Sequence, residues 1–195
     1  QKSINYNFSK FKKFSRKEII DSLLNSGCWP FIKQRPYDVI ANPHDVPKSI
    51  FVSTLNTAPI SADFEIILNE QKNEFKTGID ILNKLTEGDL NICVEKNHNS
   101  FINEIENVKV YNINALHPSG NVGVQIHHID PINSGEKVWV VGAEDVALIG
   151  KLFLTGKFSP TRTIAVSGPP VKYPQYYKTI IGSKLSGIIE DAGID

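Results

Sequence analysis

The chain has 195 residues, 41% of them hydrophobic, and its 21 basic and 21 acidic side chains balance. That length and apolar content can bury a substantial core, enough for one domain of ordinary size and part of another. The charge balance argues against a nucleic-acid or anionic-lipid surface spread over the whole chain.

No run of about eighteen apolar residues occurs and no signal-peptide pattern opens the sequence, so work at a membrane would be that of a peripheral subunit. The sequence contains no Met and begins with Gln1, and it is expected to be a piece of a longer protein. The basic segment KFKKFSRK at residues 10–17 reads as a solvated lead-in to a helix. Cys28 and Cys93 are far apart, without CxxC or zinc spacing, and read as small buried hydrophobes in a reducing compartment.

In chain order, Ser15 followed by Glu18 forms a capping box, and Ile19, Ile20, Leu23 and Leu24 share one face of the helix it starts. Gly27 ends that helix, and Trp29-Pro30 cannot continue it. Residues 36–47, with three prolines, Asn42 and Asp45, predict an irregular connection. Ser49 to Thr54 is a short apolar, β-branched run and predicts a buried strand. From Asn69 to Glu87 the recurrence of Phe75, Ile79, Leu82 and Leu85 predicts one long helix, with Gly88 placed to cap it.

Strands follow at Leu90–Val94 and Val108–Ile113, around a short helix carrying Phe101, Ile102 and Ile105. Ala115 to Gly156 then gives a Gly-spaced loop, a strand at Lys137–Val141 and a helix at Ala143–Leu154, with another strand at Thr161–Val166. Strands alternating with helices predict a three-layered α/β fold on a mostly parallel sheet. After Val166 the prolines and tyrosines, an alternating run at Tyr177–Ile181 and a short helix near Leu185–Ile189 indicate a new β-containing unit.

No GxGxxG follows a strand and no GxxxxGK[ST] is present, so neither a dinucleotide fingerprint nor a Walker loop is available. The glycine-spaced candidate is HPSGNVG, where Gly120 and Gly123 allow close backbone approach and exposed N–H groups can hold an anion; a structural turn explains the same glycines. His117, His127 and His128 tempt a metal reading, but adjacent histidines diverge on a strand or a helix and do not readily share one ion. They remain candidates for donation to a carbonyl, for proton relay, or for satisfying loop backbone and facing a partner. Ser119 lies outside any GxSxG elbow, and Glu144 and Asp145 fit favourable charge at a helix N-terminus. The chemistry offers a binding scaffold rather than a catalyst.

Four stretches carry a family resemblance: ILNEQKNEFKTGIDILNKLTEG (67–88), LHPSGNVGVQIHHIDPIN (116–133), VWVVGAEDVALIGKLFLTGKF (138–158) and TRTIAVSGPPVKYP (161–174). Together, and in order along essentially the entire chain, they resemble the A subunit of the bacterial sodium-translocating NADH:quinone reductase. That family is similar to the C subunit of Rnf complexes and to the flavin-binding subunit of respiratory complex I.

The resemblance implies a lead-in from an N-terminal domain at 1–14, a complex I flavin-subunit-like α/β domain at 15–160 and the incomplete beginning of a β-grasp, soluble-ligand-binding domain at 161–195. It also implies a peripheral subunit on the cytoplasmic side of the bacterial inner membrane, in a complex that oxidises NADH, reduces ubiquinone and exports sodium ions. The sequence departs from the flavin-binding relatives in lacking a glycine-rich flavin loop and a four-cysteine motif. Members often carry His where Gln125 stands. The implied subunit holds no flavin, metal or catalytic residue of its own; NADH, flavins and an iron–sulfur centre belong to partner subunits, with ubiquinone as its candidate ligand. The quinone-binding or subunit-interface candidates are His117, Gly120, Gly123, His127, His128 and Trp139, and the alternative is an interaction module that binds no small molecule.

Overall fold

The computed structural model describes residues 5–8, 11–96 and 100–194, so residues 1–4 and 9–10 of the expected lead-in, and Asp195, lie outside the described residues. Within that lead-in Lys12 and Lys13 face solvent, whereas the rings of Phe11 and Phe14 lie edge-on to Phe153 and help close the core.

Helix α1 (Arg16–Ser26) begins with the expected capping box: the Ser15 amide donates to Glu18 Oε2 at 2.7 Å, and Ser15 caps the Glu18 amide in return. It ends at Gly27, whose φ of 81° is the left-handed conformation a helix stop favours. The stretch expected to be irregular, residues 36–47, contributes β2 (Val39–Ile40), which forms a small hairpin with β1 (Lys33–Arg35) just before it. Its strands are too short and too exposed to give an alternating signal.

Strand β3 (Ser49–Ser53) lies where the apolar run places it. The expected single helix from Asn69 to Glu87 is two: α2 (Phe64–Asn69), capped by Asp63 Oδ1 accepting from the Glu65 amide at 2.8 Å, and α3 (Lys72–Asn83). Gly88 does not cap α3, which ends at Lys84. A Cβ on Gly88 would fall 1.9 Å from the Lys48 carbonyl oxygen, so the glycine serves a close backbone approach.

Strands β4 (Leu90–Glu95) and β5 (Lys109–Ile113) lead to α4 (Val122–Ile129), and β6 (Val138–Gly142) runs directly into α5 (Ala143–Thr155). Residues read as a loop, through His127 and His128, are therefore helical in part. Asn121 Oδ1 accepts from the Gly123 amide at 2.8 Å to start α4, and Val122 and Ile126 give it a buried face.

The main sheet has the order β2-β1-β6-β3-β4-β5, with β6, β3, β4 and β5 parallel and β1 antiparallel to β6. Register sorts the two faces. Ile50 lies level with Trp139 and Leu90, and these join Val52, Ile92 and Val141 in a large core under α1, α3 and α5. Phe51, Val138 and Val140 face the other way and meet Val122 and Ile126 of α4. The result is the expected three-layered α/β arrangement.

Thr161–Val166, expected as one more strand of the alternating series, is β7 and pairs antiparallel with β8 (Gln175–Ile180) in a separate hairpin, followed by α6 (Ser186–Asp191). It cannot extend the parallel sheet beside β6, because β1 occupies that edge. Cys28 and Cys93 are free and buried, and burial pushes their thiols up to about 11 and about 12.

Helices α3 and α5, side by side in one layer, touch through glycine. A Cβ on Gly150 would lie 1.7 Å from the Glu74 carbonyl oxygen, and one on Gly78 would lie 2.1 Å from that of Val146. The obstructing atoms are backbone and cannot swing away. Gly150→Ala is expected to lower stability by about 3 kcal/mol, toward the upper end for overpacking, in urea unfolding of the purified protein; a loss below about 1 kcal/mol would show that the two helices separate freely.

Candidate functional site

In open α/β sheets ligands sit at the carboxyl ends of the strands, where a helix N-terminus can hold an anion. The equivalent place in this chain is the junction of β6 with α5, where Gly142 is the N-cap without a side-chain cap. The chain fills it with its own charges. Glu144 and Asp145 occupy the first turn, and Arg162 of β7 pairs with both, its guanidinium lying 5.2 Å from the Phe31 ring centre. The Thr163 amide donates to Glu144 Oε1 at 2.6 Å.

Burial raises the Asp145 carboxyl above its ordinary value, with Arg162 opposing the shift. The Arg162, Glu144 and Asp145 side chains are 21%, 13% and 19% exposed, which makes this a partly desolvated pair rather than a surface one. Among the described residues the hairpin also meets the α/β unit where Lys178 pairs with Glu70 and where the Asp63 amide donates to the Tyr176 hydroxyl at 3.0 Å.

Beside that junction, at the carboxyl ends of β3 and β4, lies an open cleft of about 250 Å³. Leu55, Phe64, Val94 and Ile102 supply its apolar walls, and Asp63, Glu65 and Glu95 stand in its lining without a basic residue among them.

The turn before α4 closes on itself. The Ser119 hydroxyl donates to the Asn114 carbonyl at 2.8 Å, the Gly120 amide to Thr57 Oγ1 at 3.1 Å, and Gln125 Nε2 to the Ser119 carbonyl at 2.9 Å. A Cβ on Gly120 would lie 2.6 Å from the Thr57 nitrogen, so this glycine is needed for contact with the chain's own loop. The Gly123 amide is taken by Asn121.

Of the six candidates that the sequence offers, the structure brings together only some. Gly120 and Gly123 flank the start of α4, and His127 and His128 stand exposed in its last turn with ring centres 5.1 Å apart. His117 is exposed ahead of the helix, whose eight residues span about 12 Å. Trp139 lies on the opposite face of the sheet, fully buried, edge-on to Trp29 and donating to Gln34 Oε1 at 3.2 Å. It is a core residue set apart from the histidines. Among the described residues no group of three His, Cys, Asp or Glu side chains is placed to hold a metal ion.

Residues 14–158 match the family model described as the NqrA second alpha/beta domain. The chain belongs to the NqrA family. Its curated relatives are named as the A subunit of Na(+)-translocating NADH-quinone reductase: that of a Marinomonas species is 37% identical over 94% of this chain, and that of Histophilus somni 36% identical over 95%. The chain covers 41% and 42% of those two proteins, so it spans about two fifths of NqrA relatives of this kind.

A crystal structure of an NAD⁺-reducing [NiFe]-hydrogenase in the H₂-reduced state superposes over 96% of this chain and 41% of its own, with a TM-score of 0.61 and 11% identity. That likeness is one of fold. The Arg162 clasp and the acidic cleft are not legible in the sequence; the acidic first turn of α5 is visible there, but its partner lies in a later element.

Because the folded-state pKa of Asp145 lies above its ordinary value, its stabilising contribution is full below the ordinary value and is lost as pH rises through the folded one. Removing Arg162 enlarges that loss by leaving two ionised carboxylates unpaired. Arg162→Met is expected to destabilise the protein by about 2 kcal/mol at neutral pH, less than for a fully buried pair. Denaturant unfolding should show the deficit shrinking as pH falls toward the ordinary carboxylate range; a deficit independent of pH would mean that the pair contributes no electrostatic stabilisation.

Proposed function

We propose that this chain is the α/β portion of a subunit that carries no redox centre of its own. The subunit would work on the cytoplasmic side of the inner membrane in a complex that oxidises NADH, reduces ubiquinone and exports sodium ions. In this reading flavins and an iron–sulfur centre reside in partner subunits, residues 15–160 are a flavin-subunit-like domain used as a scaffold, and residues 161–195 open a β-grasp unit.

The observation that carries the reading is the occupation of the α5 N-terminus by Glu144 and Asp145 under Arg162. A flavin phosphate seated there would meet two carboxylates. The names of the NqrA relatives support the complex, and no helix among the described residues is long and apolar enough to cross a membrane. The exposed face of α4 with His127 and His128, together with the His117 turn, is the surface assigned to other subunits, Gly120 and Gly123 holding its shape.

A second reading makes the same histidines donors to a quinone carbonyl. It is favoured by their exposure, which leaves the imidazoles free to reach a headgroup. His117→Ala with His127→Ala in the full-length subunit separates the two. Docking predicts poorer co-purification of the complex with an unchanged quinone KM; a raised quinone KM in a fully assembled complex would replace docking by quinone contact.

A further inference from the structure

The cleft at the carboxyl ends of β3 and β4 is not used by the histidine surface, and its chemistry is different. Leu55, Phe64, Val94 and Ile102 share its lining with polar side chains, and two exposed apolar residues neighbour lining residues in the chain: Ile60, next to Ser61 and Ala62, is 72% exposed, and Ile66 on α2, after Phe64 and Glu65, is 56% exposed. Ile60 also holds a φ of 53°. A β-branched residue in the left-handed region is strained, and nothing in its burial offsets the strain. An apolar side chain displayed at such cost points to a contact made by that side chain.

Charge then selects the occupant. Asp63, Glu65 and Glu95 line the cleft, none forms an ion pair among the described residues, and no Lys or Arg lines it. A cleft whose charged side chains are all of one sign carries a negative potential, which repels phosphate, carboxylate and anionic lipid and attracts a cation. A bare metal ion fits poorly, because these carboxylates do not form a group able to hold one. A polypeptide segment that presents an apolar side chain flanked by Lys or Arg satisfies walls and rim together.

We propose that the cleft between β3, β4 and α2 is a docking site for a basic, apolar segment of another subunit of the complex. The inference rests on the reading of this chain as part of a multi-subunit complex and adds a second contact surface to it, at the carboxyl end of the sheet.

The test measures association of the full-length subunit with the remaining subunits, purified as a complex lacking it, by biolayer interferometry. Glu65→Lys with Glu95→Lys should slow association roughly tenfold at low salt, the difference closing at high salt as screening removes steering. Ile60→Gly should raise the thermal midpoint, because glycine tolerates the left-handed conformation, while it weakens binding roughly tenfold. Either of two outcomes overturns the proposal: charge-reversed subunit that associates at the wild-type rate at low salt, or an Ile60→Gly subunit that is more stable and binds as tightly as wild type. If Lys at both positions impairs folding, Glu65→Gln with Glu95→Gln is read by the same criterion, with a several-fold slowing expected. Wild-type subunit that does not associate at all would instead reject the multi-subunit reading itself.

Discussion

The pairing of Arg162 with Glu144 and Asp145 is the contact on which the arrangement of this chain turns. A helix that starts directly from a parallel strand presents unpaired N–H groups and a positive dipole end at the place where α/β proteins bind anions. In this chain two carboxylates complete that end from within, and a guanidinium from the next element pairs with both and offsets part of the desolvation of Asp145. The same contact ties the β7–β8 hairpin to the α/β unit. The Thr163 amide reinforces it by donating to Glu144, whereas the ties of Lys178 with Glu70 and Tyr176 with Asp63 involve exposed groups and contribute little by comparison. An interaction that anchors the hairpin thus also occupies the ligand position of the fold.

The two faces of the sheet carry unequal loads. One is covered by α1, α3 and α5 in a single large core, with α3 and α5 so close that Gly78 and Gly150 have no room for a side chain. The other has the eight-residue α4 over Phe51, Val138 and Val140. Since α4 turns Val122, Gln125 and Ile126 inward, with Ile129 packed beside them, His127 and His128 are left facing outward. The exposure of these histidines follows from how few elements cover that side.

What can be read from the sequence follows from how local the determining physics is. The capping box at Ser15, the stop at Gly27 and the strand at Ser49–Ser53 are legible, because each is decided by residues within a few positions. The break between α2 and α3 is not: Asp63 caps a helix six residues before the expected start, and the apolar periodicity runs on regardless of the break. The α4 helix is hidden by Gly123 and its two histidines, and it is secured by Asn121 and by burial against a sheet built from distant segments. Trp139 stands out for its chemistry, yet the register of β6 turns it into the core, away from the α4 face. Arg162 and Asp145 are separated by most of a helix in sequence, so neither composition nor spacing links them. The family resemblance supplies what local signals do not, the nature of the scaffold, and the geometry shows how its ligand end is filled.

Whether that end is closed by the chain's own side chains is decided by titrating the purified full-length subunit with flavin mononucleotide and following the quenching of flavin fluorescence. Closure predicts no saturable binding up to roughly 100 μM, a concentration at which even weak specific sites would begin to fill. Stoichiometric binding at low micromolar flavin, abolished by a bulky substitution at Gly142, would contradict it.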